Sequence, residues 1–288
     1  MNILDGKAVA QARRAGLESQ IKQFKTRTGT TPGLAVVLVG SDPASQVYVS
    51  NKAKTCKEVG MESWVHELPE NANFDQIKNQ IQKLNADAKV HGILVQLPLP
   101  KHLNSDDVIA LIHPKKDADC LTAENVGLFH LGRPRATPCT PSGVIQILNH
   151  YKIPTAGTKA LVIGRSHIVG QPMAQLLTNA DATVTLAHSK TKNLPELIKS
   201  SDIVVVAAGR PEFVDVKDFK SDAVIIDVGI HRKLIDNKTK LVGDVRRDPK
   251  SEQSINCKIT PVPGGVGPMT IQMLLENTFK LAELSLLT

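Results

Sequence analysis

The sequence predicts an α/β protein of two domains, each built around a parallel β-sheet. The chain has 288 residues, which is about the length of two ordinary domains. Continuous runs of β-branched and other apolar residues alternate with helix-like segments, as in parallel sheets covered by helices. Because this alternation starts again near residue 152, we expect one domain over 1–140 with 268–288 and another over 141–267.

In the first half, apolar strand runs are followed by segments with clear helix starts. The run LAVVLVG (34–40) has the pattern of a strand buried on both faces. Asp42 followed by Pro43 is a typical helix start, and Asn73 with Gln76 has capping-box spacing. We predict helices over 5–24, 43–59, from 73, near 105–112 and over 141–150, and strands over 34–40, 63–67 and 92–97.

The second half repeats the strand and helix alternation and ends in a long helix. We predict strands over 160–164, 182–187, 203–209, 223–229, 240–245 and 259–263, and helices over 170–180, 194–200 and 267–285. We expect the last helix to pack back on the N-terminal domain.

Composition excludes several classes of protein. The four cysteines are scattered with no C-x-x-C pair, which argues against a disulfide scaffold and a cysteine zinc site. The nine histidines show no ligand spacing, so we predict no metal. Short apolar runs and a polar N-terminus predict a cytoplasmic protein that does not cross or bind a membrane. The net charge of +7 fits a solvated surface or a small anionic ligand, and 3% aromatic residues argue against nucleic acid.

A degenerate dinucleotide-binding fingerprint follows the first strand of the second half. In GRSHIVGQP (164–172), Gly164 fits the pattern, whereas Ser166 and Val169 replace the second and third glycines and Gly170 comes one residue late. The alternative is a plain strand-to-helix turn. The context of strand, turn and helix N-terminus favours a Rossmann-type domain, since that N-terminus binds anions.

The end of the next strand favours NADP over NAD. An NAD site carries an acidic residue there for the ribose hydroxyls, whereas this chain has the acid-free run Ala187–Thr191. Arg165 in the first turn and Ser189 in this run suit a 2′-phosphate. The alternative is that residues 188–190 form an ordinary solvated loop.

Polar residues of the first half suggest a chemical site. Tyr48 and Lys52 share one helix face at i and i+4, and a lysine in a cleft can have a lowered pKa. Gln96 ends a predicted strand, where ligands of parallel sheets bind. Asp117 and Asp119 lie in a loop and are candidate ligands or turn formers. Each feature also has a purely structural alternative. Lys52 could stack on Tyr48 at the surface, Gln96 could be bonded to loop backbone, and the two aspartates could form a turn.

Six motifs spread along the chain match the pattern of one family. They are YVSNK (48–52), HGILVQLPLP (91–100), GRSHIVGQP (164–172), DVGI (227–230), VGDV (242–245) and PVPGGVGPMT (261–270). With these motifs the sequence resembles, nearly end to end, the bifunctional methylenetetrahydrofolate dehydrogenase/methenyltetrahydrofolate cyclohydrolase family. One segment departs from the family pattern: D-V-D-G is usual after a lysine, and here Cys120 stands in place of the glycine.

The resemblance implies a two-step activity in one-carbon metabolism and purine biosynthesis. Hydride passes from 5,10-methylenetetrahydrofolate to NADP, and water then opens the methenyl product to 10-formyltetrahydrofolate. It also implies a homodimer, and we hypothesise that the positive charge helps to hold polyglutamylated substrates. The rivals are an NADP-dependent dehydrogenase of the amino-acid or shikimate type and a cofactor-binding sensor without activity.

The resemblance also implies roles for individual residues. Lys52 assists proton transfer, Gln96 tunes Lys52, and Asp119 and Tyr48 contact the folate. The folate cleft is shaped by Gly264, Gly265 and Pro268, and the cofactor is held by Gly164, Arg165, Ser166, Ser189 and Ile230.

Overall fold

A computed structural model describes residues 2–235, 238–247 and 256–287 of the chain. Within these ranges, no helix combines the length and the apolar character that crossing a bilayer requires. The chain divides into two units. We call Ala12–Cys139 with Ile271–Thr288 the N-terminal unit, and Met1–Gln11 with Thr140–Thr270 the C-terminal unit.

Helices and strands alternate along most of the chain. The helices are α1 (Gly6–Thr28), α2 (Pro43–Glu58), α3 (Phe74–Ala86), α4 (Ser105–Ile109), α5 (Ala123–His130), α6 (Cys139–His150), α7 (Gly170–Asn179), α8 (Leu194–Ser200) and α9 (Val266–Ser285). The strands are β1 (Asn2–Ile3), β2 (Gly33–Val39), β3 (Glu62–Leu68), β4 (Gly92–Val95), β5 (Lys159–Ile163), β6 (Thr183–Ala187), β7 (Ile203–Val206), β8 (Val214–Asp215), β9 (Val224–Asp227), β10 (His231–Ile235), β11 (Lys238–Val242), β12 (Val245–Arg246) and β13 (Lys258–Ile259).

The N-terminal unit is built on a three-stranded parallel sheet in the order β3-β2-β4. Every residue of the central strand β2 is buried, as the apolar run at 34–40 predicts. Helix α3 buries Ile77, Ile81 and Leu84 along one face, and it starts at the capping box that Asn73 and Gln76 predict. The sheet is therefore apolar and buried along β2 and β4, whereas the edge strand β3 is partly exposed and carries polar side chains.

The C-terminal unit is built on a six-stranded parallel sheet in the order β1-β13-β9-β7-β5-β6. From β5 the chain passes to β6 on one side, and it then returns to place β7 on the other side of β5. Such a reversal is the switch point at which doubly wound sheets bind ligands, just beyond the carboxyl ends of the strands. The predicted α/β class with a Rossmann-type second half is confirmed.

The last helix packs on the N-terminal unit, as expected. The ring of Phe279 in α9 meets that of Phe24 edge-on, with 5.5 Å between the ring centroids. The Arg13 guanidinium binds Glu276 through two hydrogen bonds of 2.8 Å each. The folate role expected for residues 1–140 with 268–288, and the cofactor role expected for 141–267, stay predictions.

Several elements differ from the sequence-based expectation. The strand expected over 240–245 is two elements, because β11 pairs with β10 in a hairpin whereas β12 pairs with β8. Helix α5 was not expected, and its N-cap Thr122 makes no side-chain capping bond. Strand β1 has two residues and forms only by pairing with β13, which lies more than 250 residues away.

We expect Asn73→Ala to destabilise the protein by about 1 kcal/mol, because Asn73 Oδ1 accepts the backbone N–H of Gln76 at 3.0 Å. Differential scanning calorimetry is expected to show a Tm lower by about 2–4 °C. Asn71→Ala, at an exposed position before α3, is the matched control and is expected to leave Tm unchanged. Equal Tm values for the two variants would contradict the capping role.

Candidate active site

A buried lysine and a strand-end glutamine meet in the N-terminal unit. Lys52 Nζ, from the third turn of α2, donates to Gln96 Oε1 at 2.8 Å. Gln96 directly follows β4, and its own amide is oriented because Nε2 donates to the carbonyl of Leu97 at 2.6 Å. The backbone N–H of Gln96 also continues the sheet by donating to Val37. The glutamine oxygen is thus aimed at the lysine by the strand and its own loop.

The environment of Lys52 favours the neutral amine more than water does. The residue is only 8% exposed. Burial lowers the pKa of Lys52, and the charge of Asp119 acts in the opposite direction and raises it. Because Gln96 is a neutral acceptor, the Lys52 hydrogen bond survives when the amine loses its proton.

Asp119 lies close enough to this pair for its charge to act on Lys52. Beside it, the Cys139 thiol donates to the carbonyl of the preceding residue, Ala118, at 3.5 Å. Burial raises the pKa of Asp119, whereas Cys139 and the Lys52 charge lower it. Burial also raises the pKa of the Cys139 thiol well above its usual range, so the thiol remains a hydrogen-bond donor.

The two acids of the 115–120 segment have different roles. Asp117 is buried and accepts hydrogen bonds from the backbone of Leu121, from Asn125 and from both the backbone and hydroxyl of Thr122. Asp117 therefore forms the turn into α5, which is one of the two roles that the sequence suggested for these acids. Asp119 is the acid near Lys52. Cys120 adopts a φ of 59°, the left-handed region that favours glycine, which explains why a glycine is usual there.

Tyr48 lies on α2 one turn before Lys52 and is half-buried. Burial raises the pKa of its hydroxyl, so Tyr48 stays neutral near physiological pH. It offers an aromatic face of the kind on which a flat heterocycle stacks. The structure thus brings Lys52, Gln96 and Asp119 together, and it places Tyr48 on the same helix as Lys52.

Gly264, Gly265 and Pro268 belong to the C-terminal unit, at the turn into α9. Gly264 has a φ of +104°, and a Cβ on Gly265 would come within 2.5 Å of the Pro261 carbonyl oxygen. The segment is therefore a tightly folded backbone turn.

The fingerprint loop after β5 is a tight backbone turn. A Cβ on Gly164 would lie 2.1 Å from the Ala207 carbonyl oxygen, in the loop that follows β7. A Cβ on Gly170 would lie 2.0 Å from the Gly164 carbonyl oxygen. Gly170 therefore performs the close approach of helix to strand that the third glycine of a fingerprint provides, in a loop that is one residue longer.

Two of the predicted cofactor residues belong to this loop. Ser166 Oγ accepts the N–H groups of Val169 at 3.2 Å and Gly170 at 3.4 Å, which places the hydroxyl at the start of α7, and the side chain of Arg165 is exposed. Ser189 follows β6 and Ile230 follows β9, and both are exposed to solvent. The predicted cofactor residues thus follow strands β5, β6 and β9 of the C-terminal sheet, at the carboxyl ends where doubly wound sheets bind ligands.

Sequence comparisons match both halves of the chain to one family. The catalytic-domain profile of tetrahydrofolate dehydrogenase/cyclohydrolase covers residues 4–119. The NAD(P)-binding-domain profile of the same family covers residues 138–286. The chain belongs to the tetrahydrofolate dehydrogenase/cyclohydrolase family. It therefore carries an NAD(P)-binding domain in its second half.

Individual members of the tetrahydrofolate dehydrogenase/cyclohydrolase family are similar over nearly the whole chain. The bifunctional protein FolD of Bdellovibrio bacteriovorus is 53% identical, over 98% of this chain and 96% of the relative. The crystal structure of the bifunctional FolD of Campylobacter jejuni is 44% identical with a TM-score of 0.91, and covers 99% of both chains. The Trypanosoma brucei enzyme, solved with NADP and an inhibitor, is 38% identical with a TM-score of 0.93, over 99% of this chain and 98% of that one.

The site includes two further side chains, which sequence reasoning did not identify. Cys139 and Asn277 join Asp119 to the last helix, since Asn277 Nδ2 donates to Cys139 Sγ at 3.4 Å and to the Ala118 carbonyl at 2.8 Å. No motif signals this contact, because the partners are far apart in the chain. Among the described residues, no group of three or more histidine, cysteine or acidic side chains is arranged to hold a metal.

We expect Gly170→Ala to weaken binding of the nicotinamide dinucleotide about tenfold, equivalent to about 1.4 kcal/mol. The added Cβ would overlap the Gly164 carbonyl, so the loop and the start of α7 must move apart. Isothermal titration with NADP⁺ measures the effect. Gly16→Ala, where the added Cβ meets no atom within 4 Å, is the control. An unchanged Kd for Gly170→Ala would show that the close approach does not shape the binding loop.

Proposed function

We propose that this protein oxidises 5,10-methylenetetrahydrofolate with NADP and hydrolyses the methenyl product to 10-formyltetrahydrofolate. Membership of a dehydrogenase/cyclohydrolase family over both halves of the chain supports the two activities. The observation that carries the proposal is the buried Lys52 amine, hydrogen-bonded to Gln96 and close to the Asp119 charge. This arrangement supplies a base for the hydrolytic step without a metal ligand.

Lys52 serves the hydrolysis of the methenyl group. The oxygen of a water molecule forms a bond to the methenyl carbon, and the bond from that carbon to N5 breaks. One of the two water protons ends on N5 and the other is released. A neutral amine accepts that proton, and the lowered pKa of Lys52 reduces the free energy needed to reach the neutral form. The Gln96 oxygen holds the amine in place in both protonation states.

Asp119 and Tyr48 fit the role of folate contacts. A carboxylate accepts hydrogen bonds, so Asp119 suits the N–H donors on the edge of the pterin ring. The residue before it, Ala118, is held through its carbonyl by Asn277 and the Cys139 thiol, which restrains the Asp119 backbone before substrate arrives. The half-buried ring of Tyr48 suits stacking against the flat folate. We also propose that Gly264, Gly265 and Pro268 shape part of the folate site.

The C-terminal unit fits a dinucleotide, and NADP supplies the hydride acceptor when it is bound. Gly164, Ser166 and the start of α7 suit the pyrophosphate, because Gly164 and Gly170 let the turn pack closely and place a helix N-terminus at the end of β5. Arg165 and Ser189 suit a 2′-phosphate, and Ala187–Thr191 contains no carboxylate that would repel it. Ile230 offers an exposed apolar contact for the cofactor.

We propose a cytoplasmic homodimer that accepts polyglutamylated folates. Strand β3 lies at an edge of the N-terminal sheet, and the Val65 side chain on it is 36% exposed, so this edge suits contact with a second copy. The four cysteines are buried and none forms a disulfide, which suits a reducing compartment. The net charge of +7 suits the polyanionic tail.

We expect Lys52→Gln to lower the rate of methenyltetrahydrofolate hydrolysis by about 10²- to 10⁴-fold, the usual contribution of a positioned acid or base. Hydride transfer needs no proton at this position, so measurable oxidation of methylenetetrahydrofolate is expected to remain. Absorbance of the methenyl product, supplied directly or formed with NADP, measures the two steps separately.

Lys54→Gln, on the exposed side of the same helix, is the matched control and is expected to retain both rates. Hydrolysis by Lys52→Gln at the wild-type rate would exclude Lys52 as the principal proton acceptor.

A further inference from the structure

Two buried aspartates interlock the loops that follow β9 and β11 in the C-terminal unit. Asp227 is 2% exposed and accepts the backbone N–H groups of Asp244 at 2.9 Å and Val245 at 3.0 Å. A Cβ on Gly243 would lie 1.8 Å from the Asp227 carboxyl oxygen, and one on Gly229 would lie 2.2 Å from that of Asp244. Each glycine therefore leaves room for the aspartate of the other segment.

Asp244 extends this interlock to the loop that follows β7. Its side chain is fully buried, and it accepts the N–H groups of Gly209 at 2.9 Å and Arg210 at 3.0 Å. The Nε2 of His231, on β10, bonds the same carboxyl group at 2.7 Å. Three donors from two segments thus converge on one side chain, and two of them are backbone groups of the 207–210 loop.

The 207–210 loop lies at the topological switch point. Its first residue, Ala207, donates its N–H to the last residue of β5 at 2.8 Å. The Ala207 carbonyl oxygen lies where a Cβ on Gly164 would be, so this loop directly contacts the fingerprint loop. Gly209 and Arg210 are exposed. The loop that Asp244 holds is therefore one wall of the crevice in which a doubly wound sheet binds its dinucleotide.

We propose that Asp244 is a positioning residue for cofactor binding, which fixes the 207–210 wall of the dinucleotide crevice and is itself oriented by His231. This inference rests on the proposed function, since it places the dinucleotide in that crevice. Asp244 is buried beneath the loop, so it acts through the backbone of Gly209 and Arg210 and does not touch the cofactor.

Asp244→Asn tests this role with almost no change in volume. The amide keeps one acceptor oxygen and turns the other position into a donor, so at least one of the three N–H groups loses its acceptor. Isothermal titration is expected to show a Kd for NADP⁺ raised at least tenfold, and the KM for NADP is expected to rise in parallel with a smaller change in kcat. The cyclohydrolase rate of each preparation serves as a measure of how much of the protein is correctly folded, because that reaction uses no dinucleotide.

Asp202→Asn is the matched control in the same unit. Asp202 precedes β7 at the opposite, amino end of the sheet, where it accepts the Lys159 N–H at 2.8 Å and binds Lys220. Its loss removes a comparable set of bonds, and the Kd for NADP⁺ is expected to stay within twofold of wild type. His231→Leu is the second variant, for the case in which Asp244→Asn does not fold, and is expected to raise the Kd about threefold. His231→Gln retains a donor and is expected to restore most of the affinity.

Each outcome decides between the alternatives. A Kd for Asp244→Asn within twofold of wild type overturns the positioning role. So does an equal loss in Asp202→Asn, or a loss of cyclohydrolase activity in proportion to the loss of NADP binding. A wild-type protein that binds no NADP⁺ contradicts the proposed function itself. Wild-type affinity in His231→Leu overturns the orienting role of His231.

Discussion

The chemistry that we propose for the N-terminal unit depends on the hydrogen bond between the buried Lys52 amine and the neutral Gln96 oxygen. Removing an ammonium group from water is costly, and a protein usually offsets the cost with a carboxylate partner. Here the direct partner of Lys52 is the amide of Gln96, whose oxygen accepts a hydrogen bond from the amine in both its charged and its neutral form. The nearby acid, Asp119, acts on Lys52 through its charge. Lys52 can therefore change its protonation state without losing its position.

In both units, candidate site residues follow strands that are apolar and almost wholly buried. Strands β2 and β4 have this character in the N-terminal unit, as do β5 and β7 in the C-terminal unit, whereas β3 and β6 are partly exposed. Gln96 follows β4 in one unit, and the fingerprint loop follows β5 in the other. In the C-terminal unit, glycines bring backbone segments and carboxyl groups close together.

Much of the fold follows from local sequence. The apolar run at 34–40 has the pattern of a strand covered on both faces, and it forms that strand. Asn73 and Gln76 form the capping box that starts α3. The proximity of Lys52 to Gln96 could be anticipated only through the family resemblance, since the two lie 44 residues apart. Gly170 was visible in the sequence, but its equivalence to the third fingerprint glycine depends on the actual length of the loop.

Other features required the three-dimensional structure. The interlock of Asp227 with Asp244 joins two short segments whose reciprocal fit depends on missing Cβ atoms, which no periodicity reveals. The contact of Cys139 with Asp119 likewise joins the end of one loop to the start of α6. Strand β1 is too short to predict and is stabilised by its partner strand.

The protonation equilibrium of the Lys52 amine tests these proposed roles most directly. NMR titration of protein labelled with ¹³C at the lysine side chains, with the Lys52 signal assigned by its absence in a substituted protein, follows that one amine. We expect a pKa below the ordinary value of about 10.4, and a rise of about 1 to 3 pH units when Gln96→Glu places a carboxylate beside the amine. An ordinary pKa in the wild type that does not respond to Gln96→Glu would contradict the proposed effect of burial beside a neutral partner.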